Sequence, residues 1–170
     1  MESSDLQRLI ISYKNEKSTT RILPYIENTI NNLSILIKKQ TEYINSFKQY
    51  SLLKSIYEQE LERVKYFLKE YLLTRIKKIE NNLFIEREHL SSHELVYLDG
   101  LIELYKCRDI YIEPPSQLPT NEECVGFVVK KSIGEILIDG HPVNMEKGDF
   151  FVAAIDDVIH LLYNNDIELI

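Results

Sequence analysis

The stretch Glu60 to Glu80, ELERVKYFLKEYLLTRIKKIE, contains no glycine or proline, and its apolar residues Leu61, Val64, Leu68, Leu72, Ile76 and Ile79, followed by Leu83, recur every three or four positions. That period predicts a long amphipathic helix, from about Leu52 into the eighties, against which the remaining elements must pack. At about 100° per residue, Val64, Phe67, Leu68, Tyr71, Leu72, Ile76 and Ile79 span roughly half the circumference, more than one neighbouring helix would cover. Arg75 projects into the middle of this apolar half. A guanidinium there must meet a carboxylate or backbone carbonyls, or its long stem must carry the charge out to the edge.

Three further helices are expected before residue 113. Ser4 and Gln7 have capping-box spacing, and Leu6, Leu9, Ile10 and Tyr13 form a first apolar stripe, ended by the polar stretch Lys14 to Thr20. A second helix should begin near Pro24 and continue through Ile26, Ile30, Leu33, Ile37, Ile44 and Phe47, with a turn in Lys48 to Ser51 before the long helix. Ser91 with Glu94 is a second capping-box signal, opening a helix whose face is Leu95, Leu98, Ile102 and Tyr105. Pro114, Pro115 and Pro119 then mark a linker.

Composition changes across that linker. Four of the five glycines lie beyond it, and VGFVVKK, EILI, HPVNM and DFFVA read as short strands bounded by turn residues. Asp139-Gly140 is a two-residue hairpin signal, and Lys147, Gly148 and Asp149 supply the next turn. A short helix over Val158 to Tyr163 and a strand over Ile167 to Ile170 complete the chain. The expected class is α+β: an all-helical bundle over 1–112, a proline-rich linker over 113–122, and a small β-rich domain over 123–170. So small a β unit needs another surface to rest on.

Charge follows the same division. The net charge of -7 falls wholly after residue 120, where three basic residues face ten acidic ones, whereas the earlier residues balance at 17 of each sign. Phosphate binding draws on Lys and Arg, so the acidic tail points to protein partners rather than nucleic acid. The basic residues Lys65, Lys69, Arg75, Lys77 and Lys78 spread around the long helix among Glu60, Glu62, Glu70 and Glu80, which fits a solvated face with intrahelical ion pairs better than a DNA-binding stripe. No apolar run is long enough to span a bilayer and no secretory leader pattern opens the chain, so a soluble, non-membrane protein is expected. Cys107 and Cys124 lack CxxC spacing, as expected of buried or idle reduced thiols in cytosol or nucleus.

Motifs of catalysis are sparse. There is no phosphate-binding glycine loop, nucleophile elbow, zinc-ligand spacing or EF-hand loop. His89 and His93 stand four apart, with HExxY in place of HExxH, and the missing third ligand favours exposed histidines at a helix start over a metal site. No cofactor and no metal is expected. The readings that stay open from the residues are an interaction protein, a helical nucleic-acid-binding module, and a metal-dependent enzyme using His89 and His93.

The residues also carry a resemblance. ELERVKYFLKEYLLTRIKKIE resembles the E-R-[IV]-[KR]-[YF] segment and YLR-x-RL-x-KIE continuation of the SLD-five subunits of the GINS DNA replication complex, with Leu73 and Thr74 in place of a polar pair. DLQRLIISYKNEKSTTRILPY is similar to that family's first helix and its W-x-NEK-x-APELL continuation, with Tyr13 at the aromatic and Asn15, Glu16 and Lys17 intact. Leu90, Ser91 and Glu94 resemble its LSPEE opening, with Ser92 and His93 replacing Pro and Glu. Pro114 and Pro115, GFVVKK, Glu146-Lys147-Gly148 and Ile167 to Ile170 follow in the family's order. The linker is shorter than the family's.

The resemblance implies a helical A domain followed by a β-rich B domain. The same order in the Psf-one subunit leaves a Psf-one-like chain as the alternative. It further implies a non-catalytic scaffold in a nuclear heterotetramer with three Psf-type subunits. That assembly joins the Mcm ring and the Cdc forty-five cofactor in the replicative helicase, in initiation and elongation, with ATP chemistry left to Mcm and DNA met at most indirectly. On this basis the expected subunit contacts are Phe67, Tyr71, Arg75 and Lys78 in the long helix and Phe127, Phe150, Phe151, Leu169 and Ile170 in the β domain.

Overall fold

The computed structural model describes residues 3–47, 52–108, 123–138 and 140–170, with side chains from Asp5 onward. The backbone of Ser4, the expected cap, is already helical and its side chain is not described, while the turn at Lys48 to Ser51, the proline-rich linker over 113–122 and Asp139 lie outside these residues. The described chain is α+β, helices first. The helices are α1 (Ser3–Ser18), α2 (Glu27–Asn45), α3 (Leu52–Asn81) and α4 (Ser92–Cys107), with a 3-10 turn over Arg87–His89. After them come β1 (Cys124–Val129), β2 (Gly134–Ile138), β3 (His141–Met145), β4 (Phe150–Ala154), α5 (Ile155–Tyr163) and β5 (Ile167–Leu169).

At 1.5 Å per residue α3 is about 45 Å long. Leu61, Val64, Tyr71, Arg75 and Ile79 are its buried residues. They form one narrow stripe, flanked by half-buried Phe67, Leu68, Leu72 and Ile76. Against the first half of this stripe, α1 and α2 pack Leu9, Ile30 and Leu33. Against the second half, α4 and the preceding segment pack Leu90 and Leu98 together with Ile22. The broad apolar face therefore serves α1 and α2 and then α4, in succession along the helix.

Three helix starts or ends differ from expectation: α5 begins at Ile155 and not Val158, taking Asp156 and Asp157 into its first turn, and the other two, in α1 and α2, share one reason. Helix α1 continues through Ser18 because Asn15 and Glu16, within its nominally polar end, are buried and bonded inside the protein. Helix α2 starts at Glu27, not near Pro24. The amide of Tyr25 donates to His89 O (3.1 Å), and the Leu23 amide and carbonyl are bound to Glu16 and Arg75, which holds the segment before α2 outside helical geometry. Helix α4 opens as expected: Ser91 Oγ accepts from the Glu94 amide and the Glu94 carboxylate accepts from the Ser91 amide.

The β-rich part holds a three-stranded antiparallel sheet in the order β4-β1-β5 and a β2-β3 hairpin. Ile138 pairs with His141 across the two-residue connection, and Gly140 has φ of 76°, which a residue with a side chain would adopt at a cost. One sheet face carries Val125, Phe127, Val129, Ala153, Ile167 and Leu169 into a core completed by α5. Asp156 and Asp157 fall in the first turn of α5, where negative charge suits the helix dipole.

This β unit rests on the helices. Leu23 enters its core, and the Leu169 amide donates to Asn15 Oδ1 of α1 (3.0 Å). Glu123 accepts from the Thr20 amide (2.6 Å) and from the Thr19 and Thr20 hydroxyls. Arg21 makes a two-pronged ion pair with Asp156. The surface that a small β unit requires is thus supplied by the end of α1 and the strap that follows it.

Candidate functional site

Arg75 is the most constrained side chain of the long helix. It is fully buried, and each of its three nitrogens is bonded. Nε donates to Glu94 Oε1 (2.7 Å) and Nη2 to Glu94 Oε2 (3.2 Å), so the α4 carboxylate grips the guanidinium with both oxygens. Nη1 donates to Glu16 Oε2 of α1 (3.1 Å) and to Leu23 O (2.6 Å). Nη2 also donates to His89 O (2.8 Å). Lys78, one turn on, donates to Glu16 Oε1 (2.7 Å) and Arg21 O (2.6 Å). The Tyr25 and Tyr71 rings lie 5.4 and 5.6 Å from the guanidinium carbon, within cation–π range.

Two cations therefore face two carboxylates, and the group is neutral as a whole. Burial would lower the Arg75 pKa, but the hydrogen bond to Glu94 and the negative groups nearby outweigh it and raise it. Burial would likewise raise Glu94, yet Arg75 and the Ser91 amide hold that carboxyl below its usual range. Lys78 is pushed down by burial, which Glu16 offsets only in part. With charges matched and the donors of Arg75 occupied, the group has no open position for a substrate. It joins α1, the strap Arg21–Leu23, α3, the turn at His89 and α4 at one point, which is structural work.

Of the nine expected contact residues, Arg75, Tyr71, Phe127 and Leu169 are interior and present no surface to another chain. The expected Arg75 contact is met within this chain instead. Lys78 is largely buried against Glu16, and Phe67 is half-buried, edge-on to Tyr13 at 6.3 Å. Phe151 is half-buried beside Phe127, with centroids 6.0 Å apart. Only Phe150 (57% exposed) and Ile170 (70%) face out, both on the outer side of the sheet.

Sequence reasoning passed over a second surface. The start of α3 exposes Leu52, Leu53 and Ile56, and α2 exposes Ile35 and Tyr43. Tyr43, Phe47 and Tyr57 form an aromatic cluster there, with centroids 4.9 to 6.0 Å apart. A shallow groove of about 470 Å³ runs beside them, lined by Leu36, Lys39, Gln40, Tyr43, Tyr57 and Glu60. The signal was available: Leu52 and Ile56 lie off the stripe that continues through Leu61 and Val64, and Leu53 extends that stripe beyond the part that α1 covers.

His89 and His93 do not share a site. His89 Nε2 lies 3.4 Å from Tyr163 Oη and its Nδ1 lies 3.3 Å from Glu86, whereas His93 Nδ1 lies 3.2 Å from Ser92 Oγ. Among the described residues no group of three or more His, Cys, Asp or Glu side chains could hold a metal ion, and no helix is long and apolar enough to cross a membrane. Cys107 and Cys124 are free and exposed.

The chain is 25% identical over 191 aligned positions to the DNA replication complex GINS protein sld5 of Schizosaccharomyces pombe, covering 93% of this chain and 89% of that protein. It is 24% identical over 201 positions to the SLD5 protein of Yarrowia lipolytica, covering 99% and 77%. The chain is thus similar, over most of its length, to proteins named as GINS SLD5. The SLD5 protein of Arabidopsis thaliana is similar as well, with 30% identity over 97 positions, covering 55% of this chain and 43% of that protein. No protein-family model matches the chain. Glu16, Arg75, Lys78 and Glu94, which lie in segments that resemble SLD5, are side chains of the node. In the Asn15-Glu16-Lys17 segment, Asn15 holds β5, Glu16 holds Arg75 and Lys78, and Lys17 faces out.

Proposed function

We propose that this chain is a non-catalytic scaffold subunit of a GINS-type heterotetramer, taking the SLD5 place beside three Psf-type subunits in the nucleus. Within the replicative helicase the assembled complex would join the Mcm ring and the Cdc forty-five cofactor, in initiation and elongation, with DNA met at most indirectly. The observation that carries the reading is that the SLD5-like segments converge on one buried, charge-matched node. Such a node fixes the arrangement of the helices, which is what a scaffold must deliver.

On this reading the division into a helical domain over 1–112, a linker and a β-rich domain over 123–170 is that of a GINS A and B domain. The direct contacts are the exposed apolar end of α2 and α3 and the outer sheet residues Phe150 and Ile170, with the part-buried Phe67, Phe151 and Lys78 contributing what surface they keep. Arg75, Tyr71, Phe127 and Leu169 act indirectly, by setting the shape of the elements that carry those contacts. Exposed apolar clusters of this kind mark interaction surfaces.

The test is co-expression with three Psf-type subunits, one of them tagged. This chain should be retained with the tagged subunit, and Ile56→Glu with Leu53→Glu should abolish retention. A chain that purifies alone and ignores all three partners overturns the proposal.

A further inference from the structure

An antiparallel sheet that buries one face usually turns polar residues outward on the other. The β4-β1-β5 sheet does not. Register sets Cys124 opposite Ala154, Gly126 opposite Val152, and Val128 between Phe150 and Glu168. The Ile170 amide donates to Gly126 O (3.0 Å), which brings Ile170 into the same face. Glu168 is its one charged residue, and it is already matched by Lys130 (2.8 Å) and Lys14 (3.5 Å). A Cβ on Gly126 would meet the Phe150 ring at 3.3 Å, so the bare backbone there lets the aromatic ring lie against the sheet.

A groove of about 560 Å³ runs between this face and α1, with Val128 and Ile170 on its apolar side and Lys14, Lys17 and Ser18 on its helical side. That volume is within the ordinary range for a ligand cleft. Three lysines lie around a single carboxylate, and among the described residues Lys17 makes no ion pair. This is a positive margin on a chain whose net charge is -7. A neutral or basic partner would desolvate these ammonium groups without matching them, whereas an acidic one satisfies them.

We infer that this face binds an apolar, acidic segment of another protein. Its apolar side chains cover Val128, Phe150, Val152 and Ile170, and its carboxylates face Lys14 and Lys17. The inference deepens the assignment of Phe150 and Ile170 as contact residues, since it names the chemistry of what covers them. It does not require that the occupant be a Psf-type subunit.

The test uses the full chain alone and a short fluorescein-labelled peptide of alternating Leu and Glu, with a Leu and Lys peptide as the counterpart, read by anisotropy. The Leu-Glu peptide should bind about ten-fold more tightly than the Leu-Lys peptide. Lys17→Glu should shrink that preference, and Lys14→Glu with Lys17→Glu should reverse it. Phe150→Ser with Val152→Ser should weaken both peptides about ten-fold with an unchanged circular dichroism spectrum. The lysine variants sit on an exposed helix surface, so they stand as an independent check if the sheet variant misfolds. Equal binding of the two peptides, or indifference to the lysine changes, overturns the inference. So does tighter binding to anionic vesicles, or a self-associated chain that Phe150→Ser dissociates. No other GINS subunit is present in this assay, so its failure is distinct from failure of the co-expression test.

Discussion

Arg75 shows what a single residue can reveal from sequence and what it cannot. A lone charge on an apolar stripe forces a short list of fates, and burial against carboxylates and carbonyls was on that list. The partners were not legible, because Glu16 and Glu94 lie 59 and 19 positions away and helical periodicity does not encode which helices meet. Removing one member of a buried ion group leaves the others unmatched, at a cost of about 3–5 kcal/mol. Arg75→Ala should therefore lower the unfolding free energy of the isolated chain by that amount in urea, with a fall in melting temperature of about 10 °C. Arg75→Lys should recover little, since an ammonium cannot reproduce the planar fork that grips both Glu94 oxygens. The node also predicts a pH dependence. The Glu94 carboxyl is held below its unfolded value by Arg75, so in the window between the two the unfolded chain binds more protons. Stability is present above about pH 4.3 and is lost as pH falls through the folded pKa. Glu94→Gln should flatten the acid limb of a stability profile while lowering its plateau.

At the scale of elements, helices and strands with strong periodicity were readable, and so was the Ser91 capping box, because capping is local chemistry. Ser91→Ala should cost about 1 kcal/mol, measurable by denaturation. Pro24 misled for a tertiary reason: the backbone around it is bound to Glu16, Arg75 and His89, and those bonds outweigh a local preference for a helix start. The polar end of α1 misled likewise, since Asn15 and Glu16 are polar residues with interior partners. The strap between α1 and α2 is where the two parts of the protein meet. Asn15→Ala leaves the Leu169 amide buried without an acceptor, a penalty of about 1–3 kcal/mol. Hydrogen exchange should rise in β5 and β1 more than in α2, and an equal rise in both would show that Asn15 is not specific to the seat of the β unit.

For the whole molecule, the helical-then-β order and the need for a supporting surface under the β unit followed from composition and size. Which surfaces stay open to another chain did not follow from apolar spacing. Reasoning from apolar spacing pointed to the wide face of α3, whose residues turn out to be shared between α1, α2 and α4, so that the surface left for others is the end of the α2 and α3 pair and the outer sheet face. Surface residues contribute little to stability. Leu53→Glu with Ile56→Glu should therefore leave the unfolding free energy within about 0.5 kcal/mol of the parent while removing association, the opposite pattern to Arg75→Ala. The most direct measurement of the central claim is the solution mass of this chain co-expressed with three Psf-type subunits. A single species holding one copy of each chain is expected, lost with the Leu53 and Ile56 pair of changes. A folded, monomeric chain beside an assembly that forms without it would contradict the account.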